Sequence, residues 1–218
     1  MTTPTTPTTS PTTAEPPRIG VLVSGRGSNL QAILRAIESG ELAARVALVI
    51  SSRADAPALE IAAAHGVSTR VIMPKDYPSR AEAGSEIIAA LRAAGVRLVA
   101  LAGYKPILDA SVTRAFPNAI LNVHPSLLPA FAGGMAPRPQ TEALAAGVKV
   151  SGCTVHFVTE QVDAGPIIAQ AAVPVLDNDT VESLSARILA EEHRLLPRTI
   201  GLALSGRLSV EGQRVVVR

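Results

Sequence analysis

From Arg18 onward, short apolar runs alternate with amphipathic stretches. RIGVLVSG (18–25) is an apolar run closed by glycine, and SNLQAILRAIESG follows with Leu30, Ile33, Leu34 and Ile37 at the spacing of one helix face. The alternation repeats as RVALVIS, a helix over 58–65, TRVIMP, and a helix over 79–94. VRLVALAG and NAILNVHP read as two more buried strands. Strands that are apolar along their whole length need cover on both faces. The pattern therefore predicts right-handed βαβ units around a parallel sheet.

Beyond residue 130 the pattern changes. AFAGGMAPRP is a Gly/Pro loop without periodicity. SGCTVHFVT and PIIAQAAVPV predict a strand pair joined by EQVDAG, a polar, glycine-containing turn. A long amphipathic helix is expected from Val181 to Leu204, and RLSVEGQRVVV reads as a hairpin turning at Glu211-Gly212. The fold class is thus α/β, a mostly parallel sheet with flanking helices and an antiparallel strand pair toward the C-terminal half. Residues 1–17, MTTPTTPTTSPTTAEPP, have almost nothing to bury and are expected to be a disordered tail. Residues 18–218 are expected to form one domain, with a first half over about 18–118 and a second over about 119–218.

Composition narrows the partners. The chain is 47% hydrophobic but 2% aromatic, so its core is built from Ala, Val, Leu and Ile. A net charge of +2 gives no argument for nucleic-acid binding. The single cysteine, Cys153, excludes an internal disulfide and is expected in the core; no Cys/His cluster has metal-ligand spacing. No apolar run approaches the roughly 18 residues a membrane span needs, and no secretory or transit signal is recognisable. The expectation is a soluble cytoplasmic protein without a metal. Monomer and homodimer are both left open.

Three stretches carry candidate chemistry. SGRGSNL (24–30) lies at a strand-to-helix junction, where glycines let amides approach a ligand and Ser28 or Asn29 can cap the helix. The residues alone leave a phosphate cradle and a plain tight turn both open. NVHPSLLPAF (122–131) follows the fifth expected strand, and Asn122 and His124 share parity on extended chain. Asn can donate to an oxyanion and His can exchange a proton near neutral pH, yet an isolated Asn-x-His is more often a turn cap beside a structural histidine. Asp163 in EQVDAGP is ordinary turn chemistry unless the fold brings it to His124, whose imidazolium it would then favour. His65 reads as a helix C-terminal partner, and His156 and His193 as packed or capping residues.

Together SGRGSNLQAI, LNVHPSLLPAF, GCTVHFVTEQVDAGPIIAQ and AEEH resemble the phosphoribosylglycinamide formyltransferase family, over a match from about Arg18 to the C-terminus. The resemblance implies a Rossmann-like fold and transfer of a formyl group from the cosubstrate 10-formyltetrahydrofolate to the amine of glycinamide ribonucleotide. Asn122, His124 and Asp163 match the family's catalytic trio. Gly25, Arg26, Gly27, Ser28 and Asn29 match the segment that holds the nucleotide's phosphate, and Leu189, Ala190, Glu191 and Glu192 a second nucleotide-contacting stretch. Lys105, Pro106, Ile107 and Leu108, with Thr159, Glu160, Gln161, Val162 and Asp163, match folate-lining segments, as does Asn122; Arg80 matches a folate-site arginine. The chain departs from the family pattern at Arg26, at Lys105-Pro106, and over 132–140, where Pro-Gly or His-Gly and a later histidine are usual. The alternatives are another 10-formyltetrahydrofolate-using transferase or hydrolase, or a non-catalytic nucleotide-binding relative. HPSLLP instead of HASLLP, and only about a dozen residues after the last helix, point away from tRNA as substrate.

Overall fold

The computed structural model describes residues 15–218, so the expected disordered tail lies outside the described residues save for Glu15, Pro16 and Pro17. Each apolar run becomes a strand: β1 (Arg18–Val23), β2 (Arg45–Ser51), β3 (Thr69–Val71), β4 (Leu98–Leu101), β5 (Ile120–His124), β6 (Val150–Phe157), β7 (Ile167–Pro174), β8 (Leu208–Glu211) and β9 (Arg214–Val217). The helices are α1 (Ser28–Glu38), α2 (Ala58–Ala64), α3 (Arg80–Ala93), α4 (Ala110–Ala115), α5 (Arg138–Ala145) and α6 (Val181–Leu204).

All strands join one sheet in the order β3-β2-β1-β4-β5-β6-β7-β9-β8. The first five are parallel, β6 runs antiparallel to β5, and β7 antiparallel to β6. The C-terminal hairpin extends the sheet instead of standing apart, through a parallel bridge from Ile167 to Arg214. Strand alternation explains the two cores. Ile19, Val21 and Val23 pack with Leu30 and Ile33 of α1 and Leu184 and Ile188 of α6 on one face. Leu22, Val99 and Leu101 meet Ile87 and Leu91 of α3 and Val112 of α4 on the other.

Two short helices, α4 and α5, do not announce themselves as apolar periodicity. α4 is instead started by chemistry: the Asp109 carboxylate accepts the Ser111 N–H at 2.9 Å, a capping interaction. TRVIMP contributes only three strand residues, because it is an edge strand exposed along its length.

Strand order reverses at β1, which lies between β2 and β4. The loops leaving β1 and β4 therefore diverge, opening a crevice at the carboxyl ends of the strands. A buried knot ties those ends together: Ser24 and Ser52 share a hydroxyl hydrogen bond of 2.6 Å, and the Lys105 N–H donates to Ser24 Oγ at 2.8 Å. Among the described residues no helix is long and apolar enough to cross a membrane.

Candidate functional site

The crevice holds a cavity of about 360 Å³. Its walls bring together Asn29, Asn122, His124, Asp163 and Glu192 with the segments 103–108, 133–136 and 158–162. Sequence-distant candidates thus share one space. Not every expected residue lines it: Gly25, Arg26, Gly27, Ser28, Arg80, Leu189, Ala190 and Glu191 lie off the cavity wall. Arg80 opens α3, and its charge helps keep the Asp109 carboxyl low, after the hydrogen bonds from Ser111, at the end of the 105–108 segment. Glu191 pairs with Arg194 at 2.8 Å.

Strand parity places the central residues. Leu121 and Val123 take the α1/α6 face of β5, so Asn122 and His124 point to the opposite face, alongside Ile120. On β6, Cys153, Val155 and Phe157 are core, which sends Thr154 and His156 to that same opposite face. Antiparallel register then pairs Asn122 with His156 and His124 with Thr154.

His156 is therefore a member of the site, not merely a packed residue. Its Nδ1 donates to the Phe157 carbonyl at 2.9 Å, which leaves Nε2 to accept from Asn122 Nδ2 at 3.2 Å. This fixes the carboxamide and leaves its second N–H for the cavity. The missed signal was the alternation in CTVHF: His156 falls on the polar, not the apolar, parity.

Asp163 stands beside both histidines. Its Oδ2 lies 3.3 Å from His124 Nδ1, its Oδ1 3.6 Å from His156 Nε2, and the Gly133 N–H donates to Oδ2 at 2.9 Å. Burial raises the Asp163 carboxyl, but His156, His124 and the Gly133 amide outweigh it, and the group titrates below the ordinary aspartate value. The turn can approach β6 only because residue 165 is glycine: a Cβ there would overlap the Phe157 carbonyl oxygen.

His124 is 2% exposed, and its Nε2 lies 3.1 Å from the Phe131 carbonyl oxygen. An acceptor thus faces each ring nitrogen. Burial, the largest influence, nevertheless lowers the imidazole below its usual value, against the raising effects of Asp163 and Phe131. Asp163 favours the imidazolium, as expected, but in a buried site desolvation of the cation outweighs one carboxylate. Asp163 and Phe131, which face the two ring nitrogens, both have left-handed backbones, with φ of 51° and 55°. Each such conformation costs about 1–3 kcal/mol, which the surrounding packing must offset.

The HPSLLP loop is pinned from beneath by Thr154. Its hydroxyl donates to the Ser126 carbonyl at 2.7 Å and accepts from the Leu128 N–H and from Gln170 Nε2, each at 3.0 Å. Thr154→Val keeps the shape but strands these buried groups. A loss of about 1–3 kcal/mol in urea unfolding is expected, with Thr154→Ser recovering most of it. Equal stability of the Val and Ser variants would show that the network does not hold the loop.

At the α1 side, Gly27 has φ 81°, and a Cβ there would sit 2.7 Å from the Ala58 Cβ. The expected cap by Ser28 or Asn29 is absent: among the described residues no side chain caps α1. Asn29 instead reaches across to α6, its Nδ2 donating to Glu192 Oε2 at 2.8 Å, while its Oδ1 is buried without a partner. The first-turn amides of α1 thus face no capping side chain, an arrangement suited to an anion.

Glu192 is 7% exposed, and burial, offset in part by Asn29, pushes its carboxyl up to about 7. A raised carboxyl means that the folded state holds the proton more tightly than the unfolded chain. Stability from this group is therefore greatest below the ordinary glutamate value of 4.5 and declines as pH rises toward about 7. Glu192→Gln mimics the protonated form. It should exceed wild type by about 3 kcal/mol at about pH 8 and by much less at about pH 5, as read by urea unfolding. A stability difference independent of pH would remove Glu192 as the source.

The remaining candidates are structural. Cys153 is fully buried, with burial pushing its thiol up to about 12. His65 ends α2, its Nδ1 against the Ile61 carbonyl at 2.7 Å and its Nε2 3.3 Å from Glu38. Among the described residues no cluster of His, Cys, Asp and Glu is placed to hold a metal ion.

Comparison with known proteins places these features in a family context. Residues 17–200 match the family model described as formyl transferase. The chain is 40% identical over 194 residues to phosphoribosylglycinamide formyltransferase of Haemophilus influenzae, covering 89% of this chain and 90% of that protein. It is 44% identical over 193 residues to trifunctional purine biosynthetic protein adenosine-3 of Gallus gallus, 88% of this chain but only 19% of that relative. The crystal structure of glycinamide ribonucleotide transformylase 1 from Symbiobacterium toebii superposes with a TM-score of 0.89 at 55% identity, covering 94% of this chain and 95% of that one.

Proposed function

Because the chain belongs to the formyl transferase family, we propose that it moves a formyl group from 10-formyltetrahydrofolate to the amine of glycinamide ribonucleotide, a step of purine biosynthesis. The observation that carries this reading is the convergence of Asn122, His124 and Asp163 on one cavity whose walls also include Asn29 and Glu192. A transferase needs room for two substrates at one reacting centre, and the cavity is built from two unlike sides.

On one side, Glu192 with the unpartnered Asn29 Oδ1 offers acceptors for hydroxyls, and the uncapped start of α1, just beyond the wall at Asn29, suits the nucleotide's phosphate. On the other, segments 105–108 and 159–163 offer apolar surface from Ile107 and Val162 and backbone groups for a flat heterocycle. Pro106 has no N–H and the Lys105 N–H is already bonded to Ser24, so Ile107 and Leu108 must supply any amide donor from this segment.

The chemistry follows from the groups. The neutral amine attacks the formyl carbon and its carbonyl oxygen gains negative charge. The free N–H of Asn122 Nδ2, oriented by His156, donates to that oxygen, a contribution of about 3–4 kcal/mol to the transition state. Attack leaves the nitrogen with a surplus proton. His124, resting neutral because of its burial, accepts it, and the Asp163 carboxylate stabilises the imidazolium that results. The imidazolium then returns the proton to N10 of the folate as the C–N10 bond breaks. No covalent enzyme intermediate is required.

The test is to mix the protein with 10-formyltetrahydrofolate and follow deformylation with and without glycinamide ribonucleotide. Turnover that depends on the nucleotide and yields its formyl derivative is expected. Release of formate at the same rate without the nucleotide would replace transfer by hydrolysis.

A further inference from the structure

At the opposite end of the sheet a second cavity, also of about 360 Å³, opens between the amino ends of β1, β2 and β3 and the C-terminal end of α3. Three arginines line it, one from each strand: Arg18, Arg45 and Arg70. Arg18 and Arg45 are direct neighbours in the parallel register of β1 and β2. Like charges side by side on adjacent strands oppose pairing. Two are compensated from outside the strands, Arg18 by Glu15 at 3.0 Å and Arg70 by Glu86. Arg45 has no acidic partner within ion-pair distance among the described residues.

The backbone here is also irregular. Register slips between Ile19 and Gly20, so Ala47 is an extra residue in β2, and it lies on the cavity wall. Bulges of this kind re-aim the side chains around them and recur next to binding sites. Ala90 and Ala93 of α3 and Ala94 just after it also line the cavity, Ala90 itself buried, and Ser68 and Thr69 add hydroxyls.

Guanidinium groups, hydroxyls and alanine methyls around one opening describe a complementary ligand. The geometry points to a second, non-catalytic ligand site at the amino end of the sheet that takes a nucleoside monophosphate, its phosphate on Arg45 and Arg18 and its base on the Ala90/Ala93/Ala94 wall. A planar ring is what side chains no larger than methyl groups leave room for. The phosphate supplies the anion that Arg45 lacks, and charge-assisted bonds to paired arginines are strong. This site stands independently of the formyl-transfer reading, because it lies away from the carboxyl ends of the strands.

The test uses adenosine monophosphate as probe, titrated calorimetrically into the full chain with the first cavity saturated by glycinamide ribonucleotide. Binding is expected in wild type and about tenfold weaker in Arg45→Ala. Arg45 is exposed and unpaired, so that variant should fold and keep its basal formyl transfer. Inorganic phosphate is expected to bind more weakly than the nucleotide. Equal affinity for both would overturn the assignment of the alanine wall to a base. Binding unaffected by Arg45→Ala, or no binding with the first cavity saturated, would overturn the site itself. Failure of formyl transfer in wild type would instead count only against the proposed function.

Discussion

His124→Ala is expected to lower kcat by about 10³- to 10⁴-fold while changing KM little. The side chain sits between Asp163 Oδ2 at 3.3 Å and the Phe131 carbonyl at 3.1 Å, and the cavity's other imidazole, His156, is engaged by the Phe157 carbonyl and by Asn122. Without His124 the surplus proton on the attacking nitrogen has no carrier, and the intermediate collapses back to reactants. The variant leaves a void of about imidazole size in a buried site, so added imidazole should restore part of the rate. Steady-state kinetics with and without imidazole check this. A kcat within about tenfold of wild type would show that proton transfer runs through another group.

Asp163→Asn should cost about 10²- to 10⁴-fold in kcat. His124 and the Gly133 amide converge on the Asp163 Oδ2, and His156 Nε2 lies 3.6 Å from its Oδ1. The substitution is a clean probe because asparagine has the same shape and tolerates the left-handed backbone, φ 51°, that residue 163 adopts. Folding should therefore survive, and the loss is electrostatic: a neutral amide does not stabilise the imidazolium.

The linkage sign also differs. The native Asp163 carboxyl is depressed, so the stability it contributes is present above the unfolded value near 3.8 and lost as pH falls through the folded value. Asp163→Asn should flatten the acid limb of wild-type stability while lowering kcat at all pH values. Retained turnover would take Asp163 out of the proton path. An unchanged acid limb would show that its partners do not hold it low.

The parallel half of the fold was legible residue by residue. Ile19, Val21, Val23 and Leu22 read as a strand covered on both faces, and Leu30, Ile33 and Leu34 as a helix stripe, because periodicity is a local property of the chain. The helices α4 and α5 were not, since α4 depends on one capping aspartate and α5 follows a Gly/Pro loop. Within the site, Asn122 and His124 were visible as a same-parity pair next to prolines. The cap at Ser28 or Asn29 was a wrong expectation: Asn29 spends its amide on Glu192, a residue 163 positions away.

By itself, then, the order of the residues determined the strands and the helices other than α4 and α5, the parity of Asn122 and His124, and the glycines that the turns at 27 and 165 require. Those are consequences of spacing and backbone geometry over a few residues. Only the tertiary structure decided that Asp163 faces His124, that His156 holds Asn122 through antiparallel register, and that Glu192 meets Asn29. It also decided the direction of the His124 shift, because the cost of charging an imidazole depends on how much water the assembled fold leaves around it.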